Sequence, residues 1–115
     1  MIVTETTFED EGTELEDYQL WVDTTSAARG LEWATMGLAA EAGEVAGALE
    51  KFIRNGAPED DFDKMREAMK LELGDVLWYV AEICNELCLT MDEVIDDNIE
   101  KINIRRSRQQ VGEVA

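Results

Sequence analysis

Apolar side chains recur along most of this chain at intervals of three and four residues, which is the spacing of one face of an α-helix. The first such line comprises Leu15, Tyr18, Trp21 and Val22. It predicts a helix from Leu15 to about Thr25, and Thr13 and Glu16 at its start have the spacing of a capping box. Residues 1–12 lack this periodicity and carry several acids, so we expect them to form a loose arm.

A second and longer apolar line predicts a helix from about Leu31 to Asn55. Its members are Leu31, Ala34, Leu38, Ala42, Val45, Leu49 and Phe52. Asn55 and Gly56 together are a typical helix stop. Between residues 36 and 49 the only charged side chains are Glu41 and Glu44, and a helix that is apolar around most of its circumference is normally buried.

Two further helices follow. The third, from about Phe62 to Leu89, has the apolar line Met65, Met69, Leu73, Val76, Val80, Ile83 and Leu87. Thr90 and Glu93 form a second capping box, and the fourth helix then runs to about Arg108. Its inward side is expected to carry Met91, Val94, Ile95, Ile99 and Ile102.

Four helices with short connections predict an all-α fold, an antiparallel four-helix bundle. At 115 residues the chain has the length of one domain. We therefore expect a single domain over residues 1–115, with the loose arm at 1–12 and a frayed tail at 109–115.

Composition restricts the kind of function. The chain has 10 basic and 27 acidic side chains, a net charge of −17, which disfavours binding to a nucleic-acid polymer. No apolar run is long enough to cross a bilayer and no secretory signal is visible, so we expect a cytoplasmic protein without a membrane partner. Histidine is absent and there are two cysteines, so a metal site here must use oxygen ligands and a hard cation.

Two acidic pairs stand out because each interrupts an apolar helix. Glu41 and Glu44 lie three residues apart on the second helix, and Glu72 and Asp75 repeat that spacing on the third. Residues at this spacing share a helix face, so the two pairs can meet across an antiparallel hairpin. Two carboxylates about 4 Å apart repel by roughly 4 kcal/mol at an effective dielectric constant of 20. Mg²⁺, which prefers oxygen ligands and shares them with phosphates, would relieve this repulsion.

Basic and polar side chains suited to phosphate lie outside these pairs. Asn98, Lys101 and Arg105 form one polar line on the fourth helix, and Lys51 lies near the end of the second. These residues can hold phosphate oxygens, although a solvated face with basic residues near a helix end gives the same pattern. Glu82 and Glu86 are expected to form a solvated flank of the third helix.

The acidic pairs also carry a resemblance to a known family, the MazG-like all-α NTP pyrophosphohydrolases. Segment 37–45 resembles the first motif of that family, and segment 72–79 resembles the second. The 27 residues from 45 to 71 between the two acidic pairs are within the spacing that the family tolerates, and segment 98–105 resembles its closing helix. The resemblance covers roughly residues 31–108.

The resemblance implies hydrolysis of an NTP or dNTP to the monophosphate and pyrophosphate, with Mg²⁺ as cofactor and Mn²⁺ as a substitute. By position, the residues implied as metal ligands and catalytic groups are Glu41, Glu44, Glu72 and Asp75. Those implied as substrate contacts are Tyr79, Asn98, Lys101 and Arg105. Similar proteins form homodimers and homotetramers, so a homo-oligomer is expected.

Two other interpretations stay open at this stage. One is a non-enzymatic acidic helical module that binds a protein partner, and the other is a catalytically idle member of the family. A nucleic-acid mimic would spread its acids over exposed faces, whereas four acids here lie within apolar helix segments. That placement favours the enzyme.

Overall fold

The structure is a computed structural model, and it describes residues 14–112. The described residues form four α-helices and one short 3₁₀ turn, Glu59–Asp61, and contain no strand. The helices are α1 (Leu15–Thr25), α2 (Leu31–Arg54), α3 (Phe62–Glu86) and α4 (Met91–Gln110). The prediction of an all-α fold with four helices is confirmed, and each helix ends within one turn of its predicted end.

Hydrogen bonds at the helix ends explain where α2 and α3 stop. At the end of α2, Ala57 N donates to Phe52 O (2.9 Å) and Gly56 N to Ile53 O (3.0 Å), the pattern of a Schellman motif. Gly56 has a φ of 89° there, which glycine adopts without strain. The same pattern ends α3, where Leu89 N donates to Cys84 O (2.8 Å). Its left-handed residue is Cys88, with a φ of 56°.

The corner between α3 and α4 is held by side chains from α1 and from the turn itself. Thr90 Oγ1 accepts a hydrogen bond from Glu93 N (3.0 Å) and donates to Glu93 Oε2 (3.3 Å), so the cap predicted at Thr90 is confirmed. Gln19 of α1 donates to Leu89 O (2.7 Å) and to Asn85 Oδ1 (2.9 Å), and it accepts from Met91 N (2.9 Å). These bonds fix the direction in which α4 begins. Thr13, the cap predicted for α1, lies outside the described residues.

The α2–α3 pair is an antiparallel hairpin whose helices meet along a seam with coiled-coil spacing. The half-buried or buried seam positions are Ala34, Leu38, Glu41, Val45, Ala48 and Phe52 on α2, and Met65, Met69, Glu72, Val76, Tyr79 and Ile83 on α3. This line differs from the predicted ones at four positions, where Ala42, Leu49, Leu73 and Val80 are replaced by Glu41, Ala48, Glu72 and Tyr79. The two carboxyl groups therefore lie in the helix contact itself.

The dry core lies where α1 crosses the C-terminal half of α3. Val22, Ala81, Cys84 and Met91 are buried together there. Met91 at the start of α4 is 5% exposed, and it is the only buried residue of that helix. Beyond this corner α4 runs without substantial packing against α2.

The prediction that the apolar side of α4 faces inward is therefore wrong for the single chain, except at Met91. Val94, Ile95, Ile99 and Ile102 are all exposed, by at least 39%. The physical reason is that α4 contacts α1 and α3 near its first turns and then diverges from the hairpin. Among the described helices, none combines the length and apolar content needed to cross a membrane.

Candidate metal centre

Three carboxylates meet at the middle of the hairpin. Glu41 of α2 and Glu72 and Asp75 of α3 each place one oxygen within 4.8 Å of the other two. We call these residues the carboxylate cluster. Glu41 and Glu72 are half-buried in the seam, while Asp75, one turn beyond Glu72, is exposed. The cluster is therefore walled by the two helices and open to solvent on the side of Asp75.

The negative charges of the carboxylate cluster are not paired with basic side chains of the described residues. Loss of solvent at the seam, a hydrogen bond to Glu72 and the negative charges of Asp75, Glu72 and Glu44 together raise the pKa of Glu41. The ion pairs of the described residues lie elsewhere, between Glu50 and Arg54 on α2 and around Glu67 on α3. Three converging carboxylate oxygens are the donors that a hard divalent cation prefers, and such a cation would stabilise their charged forms.

The fourth predicted ligand, Glu44, lies one turn beyond Glu41 and is exposed. It is near enough for its charge to raise the pKa of Glu41, but its oxygens are not part of the cluster. The structure thus brings together three of the four predicted carboxylates, and the role of Glu44 as a ligand stays a prediction.

An aromatic group adjoins the cluster along the hairpin. Tyr79, one turn after Asp75, has its ring centre 5.4 Å from that of Trp33 and 5.0 Å from that of Trp78. The Tyr79 ring also lies directly against the backbone of Gly37, so that a Cβ atom at this position would overlap it. Gly37 precedes Glu41 by one turn, so the close approach of the aromatic ring explains why this apolar helix carries a glycine there.

The sequence does not mark two further residues beside the site, Arg29 and Tyr18, as functional. The guanidinium of Arg29 lies over the Trp33 ring, 5.4 Å from its centre, and it brings a positive charge to the aromatic group. Burial and then the negative charge of Asp75 raise the pKa of Tyr18 on α1. Arg29 belongs to no motif, and only the helical spacing of Tyr18 indicated that it packs inward.

The other predicted substrate contacts are not assembled around the cluster. Asn98, Lys101 and Arg105 are exposed on α4, and the shallow surface that Lys101 and Arg105 border is lined by α4 residues alone. Lys51 follows Glu41 by ten residues, about 15 Å along the helix. It lines a small cavity of about 140 Å³ at the turn end of the hairpin.

The prediction that Glu82 is solvated is wrong. Its side chain is 3% exposed, because α1 packs over this side of α3. Burial, followed by the charges of Glu86 and Asp23, raises the pKa of Glu82. Its Oε2 atom has no hydrogen-bond partner among the described residues, and Glu86, one turn further, is half-buried.

The chain also matches a known protein family and a protein of a phage. The family model described as "MazG nucleotide pyrophosphohydrolase domain" matches residues 30–110, which contain the whole hairpin and α4. The chain is also 38% identical over 81 residues to the "Gene 37 protein" of Mycobacterium phage L5, an overlap of 69% of this chain and 68% of that protein. No solved structure matches the chain.

Proposed function

Because the chain belongs to the MazG nucleotide pyrophosphohydrolase family, we propose that it hydrolyses an NTP or dNTP to the monophosphate and pyrophosphate. The observation that carries the proposal is the convergence of Glu41, Glu72 and Asp75 from two helices. An acidic surface that imitates nucleic acid has no need for carboxylates in a helix seam. A metal-dependent hydrolase needs such a group, since it must hold a cation against an anionic substrate.

In this proposal Glu41, Glu72 and Asp75 would hold Mg²⁺, for which Mn²⁺ could substitute, and Glu44 would be a fourth ligand. When bound, the metal would polarise the phosphate oxygens and lower the pKa of water. The protein's own part is to bring the carboxylates together and to keep one oxygen available as a proton acceptor.

The nucleoside would lie along the hairpin, beside the cluster. Tyr79 and Trp33 offer aromatic faces one and two turns from the carboxylates, and stacking on such faces holds a base without specifying it. Arg29 would place its guanidinium near the sugar or phosphate. Lys51, Asn98, Lys101 and Arg105 remain proposed phosphate contacts, and they require a rearrangement or a second chain to reach the cluster.

We also propose that the chain is a homodimer or homotetramer. The outer side of α2 carries the exposed apolar residues Ala39, Ala42, Ala46, Leu49 and Ile53. Their steps of three and four residues repeat the coiled-coil spacing of the inner seam. A continuous apolar stripe of this kind is normally covered, and a second copy of the hairpin has the matching spacing.

The test is pyrophosphate release from each canonical NTP and dNTP in the presence of Mg²⁺. We expect release from at least one nucleotide, with loss of activity in Glu72→Gln. Glu67→Gln is the matched control, since Glu67 is an exposed acid on the same helix, paired with Lys70. No release from any nucleotide would refute the enzyme and favour the acidic interaction module. Equal activity of the wild type and Glu72→Gln would refute the site.

A further inference from the structure

The contact between α1 and the C-terminal half of α3 has acids on both sides and no base. Residues 14–25, which cap and form α1, include four acids and no basic side chain, and residues 75–90 include three acids and no basic side chain. The ion pairs of the described residues lie on α2 and on the N-terminal half of α3. Charge therefore opposes the docking of α1, because like charges on the two helices repel.

Glu82 lies on the side of α3 that α1 covers. Its side chain is 3% exposed, and Oε2 has no hydrogen-bond partner among residues 14–112. Burial, then the charges of Glu86 on α3 and Asp23 on α1, raise its pKa. On the side of α4, the charge of Glu93 acts on the buried Cys84. The described charges that act on Glu82 are thus negative, so an ionised carboxylate there would have no compensation.

The helix α1 depends on α3 for its stability. At 11 residues it is shorter than the helices of about 12–15 residues that are already marginal alone in water. Val22 anchors it in the core, and Trp78 Nε1 of α3 donates to Thr25 Oγ1 (3.0 Å). Gln19 bonds to the corner between α3 and α4. Loss of the contact with α3 would therefore unfold α1 and free the start of α4 as well.

We propose that α1 is a pH-sensitive latch, which stays docked on α3 while Glu82 carries its proton and undocks when that proton is lost to solvent. A buried carboxylate among acids is unfavourable, whereas undocking of α1 gives the same carboxylate access to water. The α2–α3 seam is not part of this contact, so the opening is local and leaves the hairpin folded. Undocking also removes the bonds of Gln19, and α4 is then free to change direction. The latch uses no residue of the carboxylate cluster and stands independently of the proposed function.

The latch opens as the pH rises. Glu82 has the ordinary pKa of about 4.3 when α1 is undocked and a raised pKa when α1 is docked. Below about pH 4.3 the docked state keeps its full stability. As the pH rises from there through the raised pKa, the ratio of undocked to docked α1 increases by up to about tenfold per pH unit, and at higher pH this ratio is constant.

Amide hydrogen exchange of the full chain, read by mass spectrometry between about pH 5 and pH 8, tests the latch. After correction for the intrinsic pH dependence of exchange, peptides from α1 should exchange faster as the pH rises, and peptides from residues 44–54 of α2 should not. Glu82→Gln, which puts an uncharged side chain of the same shape at this position, should abolish the rise. Glu86→Gln is the matched control, since Glu86 is a half-buried acid one turn away, and it should keep the rise.

Three results would overturn the latch. The first is a corrected exchange of α1 that does not change with pH, for which the wild type alone suffices. The second is an equal rise in α1 and α2, because the whole chain would then be unfolding. The third is a rise that persists unchanged in Glu82→Gln, because the proton would then be lost from another acid.

Discussion

The hairpin seam and the corner where α1 crosses α3 both hold carboxyl groups, but in opposite ways. In the seam, Glu41 and Glu72 are half-buried, meet Asp75 and open to solvent. At the corner, Glu82 is almost fully buried, with no hydrogen-bond partner for Oε2 among the described residues. Burial raises the pKa in both places. The two regions differ in the number of carboxylate oxygens that converge. Of the two, only the seam brings several oxygens close enough together for one cation to bind them.

The largest expected effect is on activity, which a substitution in the seam should lower and a substitution at the corner should not. Asp75→Asn should lower kcat/KM about 100-fold, which corresponds to about 2.7 kcal/mol of transition-state stabilisation, because it removes one of three converging oxygens. Glu82→Gln, two turns further along α3, should leave kcat/KM within about twofold. Steady-state pyrophosphate release measures both. A large loss in Glu82→Gln would mean that the corner belongs to the active site.

The next effect concerns the packing of the seam. Gly37→Ala places a methyl group against the Tyr79 ring, which itself contacts Trp33 and Trp78. Overpacking of this kind costs about 1–3 kcal/mol, and it should also raise KM by displacing Tyr79. Gly47→Ala on the same helix is the control, because its new Cβ meets nothing within 4 Å. That change should stabilise the chain by about 1 kcal/mol. Urea unfolding of both variants would show whether the free energies of unfolding change in opposite directions.

The smallest effect belongs to the corner and depends on pH. The pKa of Glu82 is raised in the folded chain above a value of about 4.3 in an unfolded chain. The folded chain therefore binds more protons above that pH, and stability is lost as the pH rises through the folded pKa. Glu82→Gln should be more stable than the wild type at neutral pH, and the difference should shrink towards pH 4. Glu86→Gln, at a half-buried position, should show a smaller difference. If the difference in stability between Glu82→Gln and the wild type did not change with pH, the claim that the buried Glu82 has a raised pKa would be contradicted.

Local signals account for the part of the fold that the sequence predicted. Gly56 marked the end of α2, and Thr90 with Glu93 marked the start of α4. α3 ends three residues before the predicted Leu89, because its Schellman motif uses Cys88 instead of the glycine that normally marks such an end. Hydropathy alone predicts Ala42 and Leu73 as seam positions, since it favours an apolar residue over the neighbouring Glu41 and Glu72.

Tertiary contacts decided what the sequence could not predict. Glu82 is buried because α1 packs over it, and no local pattern fixes where α1 crosses α3. The direction of α4 depends on Gln19, which is more than 60 residues away along the chain from the corner that it holds. Two acidic pairs with equal spacing were enough to predict that carboxylates converge. The distance of α4 from them followed only from the structure.

The central claim is that the carboxylate cluster holds a divalent cation, and thermal unfolding with and without Mg²⁺ tests it most directly. Without metal, Glu72→Gln should unfold at a higher temperature than the wild type, because it removes one of the repelling charges. With Mg²⁺ at about 100 times its Kd, the wild type should gain about 2.7 kcal/mol and overtake the variant, which gains little. Equal shifts of the two proteins on addition of Mg²⁺ would contradict the claim.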